Sequence, residues 1–160
     1  MQEKGFTLVE LVILLILVSI LAAIAAPRFI DLINPSKENV TRHRLEELKK
    51  AIAGDPDAIA AGTYSARGFR GDTGQWPAIL QDLVTNPGLP AWNRYTRTGW
   101  NGPYVDQTGG QYLIDGWGNN FTYQSTCAPP RIVSNGPNGV LDTAGCGAVA
   151  GDDIFVELRF

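Results

Sequence analysis

Histidine and cysteine are scarce in this 160-residue chain, and their scarcity restricts its chemistry. The single histidine, His43, lies between two arginines in a charge-rich segment, which does not suit a Ser-His-Asp catalytic arrangement. One distant histidine and two cysteines also cannot supply the usual four ligands of a structural zinc site. No glycine-rich loop ends in Lys-Ser or Lys-Thr, as phosphate-binding loops do. We therefore expect a protein that is not an enzyme.

Charge of either sign is also limited. The formal net charge is -3, so a strong general attraction to nucleic acid is not expected. From Leu11 to Ala26 there is no charged residue at all. Together with residues 6–10, this run reaches about the 20 residues with which a helix crosses a bilayer. A secretory signal cut before Pro27 is the alternative, but it would leave Glu10 unexplained.

Glu10 is the acidic residue near the head of this apolar run. A carboxylate inside hydrocarbon costs about 2.5–3.5 kcal/mol on insertion scales, so such a residue normally has a partner. The segment itself offers no cation at that depth. If the chain is cut after Gly5, the new amine of Phe6 is a cation that can pair with Glu10 of a neighbouring copy. Glu10 is thus predicted to act in assembly.

The stretch "KGFTLVEL" resembles the cleavage and methylation motif of type IV pilins and type II secretion pseudopilins. The resemblance implies that prepilin peptidase cuts between Gly5 and Phe6 and methylates the Phe6 nitrogen. It also makes Glu10 the assembly glutamate and places a helix-kinking proline at Pro27. The implied parts of the chain are a leader over 1–5, a transmembrane and assembly helix over 6–33, and a globular domain over 34–160.

The remaining patterns predict an α+β, pilin-like fold. Asn34-Pro35-Ser36 predicts a break, with Asn34 or Ser36 capping an amphipathic helix over 36–53. Period-2 and β-branched patterns predict antiparallel strands, and a short apolar pattern predicts one more helix. These elements are the strands 111–114, 120–124, 131–134 and 154–160 and the helix 78–84. The long N-terminal helix is expected to pack on this small sheet, with a loop-rich C-terminal region.

The patches "GPYV", "DGWGNNFTY", "IVSNGPNG" and "DDI" occur in the order found in G-type major pseudopilins. This resemblance implies a structural subunit that polymerises into a type II secretion pseudopilus and helps to drive protein export. The implied partners are further copies of the chain, minor pseudopilins, prepilin peptidase and the inner-membrane assembly platform. The implied location is the bacterial inner membrane, crossed once, with the C-terminal domain in the periplasm. The alternatives are a surface pilin and a membrane-anchored binding domain that does not polymerise.

Cys127 and Cys146 lie in polar, glycine-rich surroundings behind a membrane segment. An exported disulfide is the natural interpretation of such a pair. Two free or buried thiols are the alternative.

The loop "SNGPNGVLDTAGCGAVAGDD" concentrates hard oxygen ligands among glycines. Its candidate calcium ligands are Asn138, Asp142, Asp152 and Asp153. The alternative is a polar turn whose side chains bond their own backbone. The resemblance favours calcium, although Asn138 stands where an aspartate is expected in the family.

Overall fold

The computed structural model describes the backbone of residues 6–60, 63–64 and 66–159. Side chains are described for the same residues except 25–33 and 59–64. The described chain divides into two compact units, with the boundary in the chain between Ser36 and Lys37. The first unit is helical, and the second contains the remaining helix together with the sheet and its loops.

Helix α1 spans Leu8–Ala53 and passes without interruption through Pro27 and through Asn34-Pro35-Ser36. The predicted break, with a new helix capped at Asn34 or Ser36, is therefore wrong. A proline inside a helix costs about 3 kcal/mol, but the helix is cooperative and the turns on both sides offset that cost. No melted turn is present at Pro27, and the kink there stays a prediction.

The expected leader over 1–5 and the expected transmembrane helix over 6–33 both concern the front of the chain. Gly5 and the rest of the expected leader lie outside the described residues. No helix in the described ranges is both long enough and apolar enough to cross a membrane.

The main sheet is antiparallel and consists of three strands that lie side by side in sequence order. Its strands are β3 (Thr122–Gln124), β4 (Arg131–Ser134) and β5 (Ile154–Glu157). Ile132 of β4 lies opposite both Tyr123 of β3 and Val156 of β5. The two short strands β1 (Ile59–Ala60) and β2 (Thr63–Tyr64) form a separate antiparallel pair. The strands predicted over 131–134 and near 120–124 and 154–160 are confirmed, the last two with shorter bounds.

Three helical segments occupy the connection between the two sheets: α2 (Gly68–Thr73) and the 3₁₀ helices Leu80–Leu83 and Thr108–Leu113. The strand predicted over 111–114 is wrong. Gly109 and Gly110 both have positive φ, which bends the chain into a turn, and only Ile114 pairs with a strand-like partner, Asn120. The helix predicted over 78–84 is the 3₁₀ helix Leu80–Leu83.

The core of the second unit lies between the C-terminal half of α1 and the sheet. The helix contributes Leu45, Leu48 and Ile52, which are at most 2% exposed. They join a cluster with Phe69 from α2 and with sheet residues such as Ile132. Every residue of β4 is buried, as expected for a central strand covered on both faces. The predicted α+β fold, with a long helix packed on a small sheet, is confirmed.

The "DGWGN" patch fastens the sheet to the helix. Thr41, fully buried on α1, donates its hydroxyl to Lys37 O at 2.8 Å and accepts the Gly116 N–H at 2.9 Å. A side chain at Gly116 would clash with the Lys37 carbonyl, so only glycine permits this approach. Asp115 in turn accepts the Ser134 hydroxyl at 2.7 Å. The turn thereby fixes the end of β4, where the C-terminal loop begins.

Candidate functional site

The first turn of α1 is built around Thr7 and Glu10. The Thr7 hydroxyl accepts the Glu10 N–H at 3.3 Å, and the Thr7 carbonyl accepts the Leu11 N–H at 3.2 Å. Thr7 thus caps the helix, and the Thr-x-x-Glu spacing is that of a capping box. An acidic side chain in a first turn is also favoured by the helix dipole. The capping role of Thr7 was missed in the sequence, although its spacing to Glu10 was visible there.

The surface of this segment is apolar and has no cover in its own unit. Every residue from Phe6 to Ile24 is exposed, and the large apolar side chains among them are 43% to 80% exposed. So large an apolar surface requires either lipid or other protein around it. Glu10 forms no ion pair with any residue that the structure describes. The arrangement leaves the Glu10 carboxylate and the apolar surface of this segment available for contact with other molecules.

The C-terminal loop, residues 134–153, is anchored by a disulfide to the connection between β3 and β4. Cys127 and Cys146 are bonded, and no free cysteine occurs in the described chain. The predicted disulfide is therefore confirmed, and the alternative of free thiols is wrong.

A second anchor of the loop is the buried guanidinium of Arg131, on β4. It donates to the carbonyls of Gly147, at 2.7 Å, and Gly145, which flank Cys146. It also donates to Gln124 Oε1 at 2.5 Å. These are charge-assisted bonds, which are stronger than neutral ones. This role was not predicted from the sequence, where the only signal was a charged residue at the start of the strand "RIVS".

Three of the four predicted calcium ligands meet in the loop. Asn138 Nδ2 lies 3.0 Å from Asp142 Oδ2 and 2.5 Å from Asp152 Oδ1. The backbone N–H of Asn138 donates to Asp152 Oδ2 at 3.0 Å. Gly136 and Gly151, both at positive φ, leave room for these carboxylates where a Cβ would clash with them. The two aspartates therefore converge on one nitrogen atom.

Asp153 is the fourth predicted ligand, and its described hydrogen bond joins it to a residue other than the first three. It is buried, and its Oδ2 accepts the Thr143 N–H at 2.7 Å. Its Oδ1 is also buried but has no hydrogen-bond partner among the described residues. Thr143 follows Asp142 directly, so Asp153 borders the loop segment that carries the other carboxylates. Within the described ranges, no three or more His, Cys, Asp or Glu side chains are grouped to hold a metal ion.

Comparison with known proteins identifies the family to which this chain belongs. A prokaryotic N-terminal methylation motif matches residues 1–26, which contain Gly5, Phe6 and Glu10. The model of type II secretion system protein G matches residues 29–151, which covers most of the globular part. The chain belongs to the type II secretion system protein G family. It is accordingly a pseudopilin, a structural component of that system.

Two protein G family relatives match over most of their length. The type II secretion system core protein G of Xanthomonas campestris is 26% identical over 122 residues, 76% of this chain and 68% of that protein. The protein of the same name from Pseudomonas aeruginosa is 28% identical over 140 residues, 86% of each chain.

One pilus relative matches the chain over a shorter stretch. The type IV narrow pilus major component of Thermus thermophilus is 50% identical over 69 residues. That match covers 43% of this chain and about half, 53%, of the pilus protein. No solved structure matches the chain.

Proposed function

We propose that this protein G family chain is the repeating subunit of a type II secretion pseudopilus and polymerises through α1. The observation that carries the proposal is the uncovered apolar surface from Phe6 to Ile24, which bears near its start the Glu10 carboxylate, without an ion pair among the described residues. Copies packed side by side would cover that surface. Glu10 would then meet the N-terminal amine of a neighbouring Phe6.

A non-polymerising membrane anchor does not account for this arrangement. A single copy in lipid would bear the cost of the Glu10 carboxylate without any compensating partner. A surface pilin does account for it, because the same packing serves both kinds of filament. The stretch shared with the narrow pilus component keeps that second candidate open. Secretion and surface filaments measured in a strain lacking the chain distinguish the two.

The proposed partners follow from this assembly. Prepilin peptidase would process the chain, minor pseudopilins would join the filament, and an inner-membrane platform would extract each subunit. The chain would lie in the inner membrane with residues 34–160 in the periplasm. A role in pseudopilus assembly predicts loss of protein secretion when the chain is deleted, and a role in a surface pilus predicts loss of surface filaments with secretion intact.

Processing at the N-terminus is the first prediction. The mature chain is expected to begin at Phe6, with a methylated amine, because only that amine brings a cation to the depth of Glu10. The intact mass of protein extracted from membranes with detergent measures both changes. The removed residues contain Glu3 and Lys4, so the net charge of -3 is unchanged.

Gly5→Leu supplies the matched control for processing. It leaves Phe6 and Glu10 in place but gives the expected cleavage site a bulky side chain. We expect the variant to keep its leader and to form no filaments. A parent mass that begins at Met1, or one that begins at Pro27, contradicts the prediction.

We further propose that calcium orders the C-terminal loop. Asp142 and Asp152 converge within hydrogen-bond distance of one atom, and Asp153 has a buried oxygen without a described partner. Asn138 and backbone carbonyls would complete a shell of hard oxygen ligands, as calcium requires. The ion would neutralise the carboxylates of a glycine-rich loop that has little core of its own.

Thermal stability tests the calcium proposal. The full processed chain in detergent is expected to melt at a higher temperature in millimolar calcium than in chelator, because an ion that binds only the folded state stabilises it by mass action. Asp153→Asn is expected to remove most of that difference while its side-chain oxygen still accepts the Thr143 N–H. Asp106→Asn is the control, because this exposed carboxylate bonds Thr108 outside the loop. Equal melting temperatures of the parent chain in calcium and chelator contradict the proposal.

A further inference from the structure

Asn138 has every polar group of its side chain satisfied in the described structure. Its amide nitrogen donates to Asp142 Oδ2 at 3.0 Å and to Asp152 Oδ1 at 2.5 Å. Its amide oxygen accepts the Val140 N–H at 2.6 Å. An asparagine amide carries two N–H bonds and one oxygen, so each has a partner here.

The direction in which this amide points is determined by its surroundings. A backbone N–H can only donate, so the Val140 N–H requires an oxygen opposite it. Turning the amide over would place its N–H groups against that donor and its oxygen against two carboxylates. The amide nitrogen must therefore face Asp142 and Asp152.

We propose that the Asn138 amide is an internal substitute for the cation of this loop, and that calcium binds only by displacing it. The inference rests on the calcium role proposed above. The amide nitrogen occupies the point at which the two carboxylates converge, and it joins them by hydrogen bonds without an ion. The loop is thus ordered when calcium is absent, and calcium binds modestly because it must break those bonds.

The substitution Asn138→Asp should reverse both the order of the ion-free loop and its modest affinity for calcium. Three carboxylates would then surround one point, and like charges in close proximity destabilise the ion-free loop. When calcium is present, the third carboxylate becomes an additional charged ligand, and ligand charge strengthens calcium binding. The identity of residue 138 therefore sets whether the folded loop depends on the ion.

The experiment compares Asn138→Asp with Asn135→Asp in the full processed chain in detergent. Both changes add one negative charge to the same loop, and both residues precede a glycine. Asn135, however, donates to the Gly139 carbonyl at 3.4 Å and has no described hydrogen bond to Asp142 or Asp152. The intact mass of each sample is measured, and samples of the parent chain in which Asn138 has deamidated to aspartate are excluded.

In chelator, Asn138→Asp is expected to melt about 4 °C or more below the parent chain. Millimolar calcium should remove that deficit, and calorimetric titration with calcium should show at least about tenfold tighter binding. Asn135→Asp loses only the long hydrogen bond to the Gly139 carbonyl, so it should melt slightly below the parent in chelator, and calcium should not remove that difference. Equal melting temperatures of the parent and Asn138→Asp in chelator would overturn the inference.

Asn138→Ala keeps the test decisive if Asn138→Asp does not fold without calcium. It removes the amide without adding charge, so it should lower the melting temperature in chelator. An unchanged melting temperature for this variant also overturns the inference. If the parent binds no calcium but Asn138→Ala and Asn138→Asp both melt lower in chelator, the calcium proposal fails and the bridging role of the amide is supported.

Discussion

Replacing Glu10 with leucine is expected to abolish filaments while the chain accumulates in the membrane at the parent level or above. Insertion improves because a carboxylate in hydrocarbon is removed, a change of about 2.5–3.5 kcal/mol on insertion scales. Assembly fails because the pair between Glu10 and the amine of a neighbouring Phe6 is lost. Close charge pairs in desolvated interfaces contribute from about 1.5 kcal/mol upward, so filament yield should fall at least about tenfold.

Filament yield and membrane abundance have to be measured in the same cells. Sheared filaments are quantified by electron microscopy and immunoblotting, and the membrane fraction is blotted alongside. Such a comparison separates a defect in assembly from a defect in insertion. Glu10→Leu filaments at the parent yield would falsify the charge-pairing account.

Glu10→Gln separates the charge of Glu10 from its place in the first turn of α1. Glutamine has nearly the same size and also suits the third position of a capping box with Thr7. If the charge matters, Glu10→Gln is as defective as Glu10→Leu. Normal assembly of Glu10→Gln would instead assign the role of Glu10 to the helix cap.

Removing the disulfide is expected to cause the largest loss of stability in the globular unit. Cys127 and Cys146 are 19 residues apart, and closing such a loop is worth about 3 kcal/mol in the chain-entropy model. The variant Cys127→Ser with Cys146→Ser should therefore melt about 10 °C lower than the parent chain. Thermal melts of the full processed chain in detergent measure the change.

The reduced parent chain is the matched control for this variant. It lacks the same bond but keeps both sulfur atoms, so it should melt within a few degrees of the double serine variant. Thiol labelling of denatured, unreduced parent protein should find no free cysteine. Complete labelling of both cysteines in that sample contradicts the prediction.

Arg131 and the disulfide both attach the C-terminal loop, so the stability losses from removing each of them are interdependent. Its bonds to Gly145 and Gly147 remain when the disulfide is absent, so the loop keeps one attachment to β4. Removing Arg131 and the disulfide together should cost more than the sum of the single losses, because residues that share one loop are coupled. Arg131→Met in the parent and in the double serine variant completes the cycle.

Several features of this protein were determined by the sequence itself. The N-terminal motif was legible because its chemistry depends on consecutive residues, with Glu10 four positions after Phe6. The disulfide could be predicted because a chain with two cysteines allows only one pairing within the chain. Strand β4 was predicted at its observed bounds because its pattern is local and β-branched. Such features require no knowledge of what lies opposite them.

Other features were decided by structural surroundings that a local sequence pattern does not show. Helix α1 continues through Pro35 because propagation on both sides outweighs a local breaking preference. Arg131 is buried because carbonyls 14 and 16 residues away accept hydrogen bonds from its N–H groups. The orientation of the Asn138 amide depends on Asp152, which is 14 residues further along the chain. Sequence gives the donors and acceptors, but their partners depend on how the loop returns to the sheet, and only the tertiary structure determines that path.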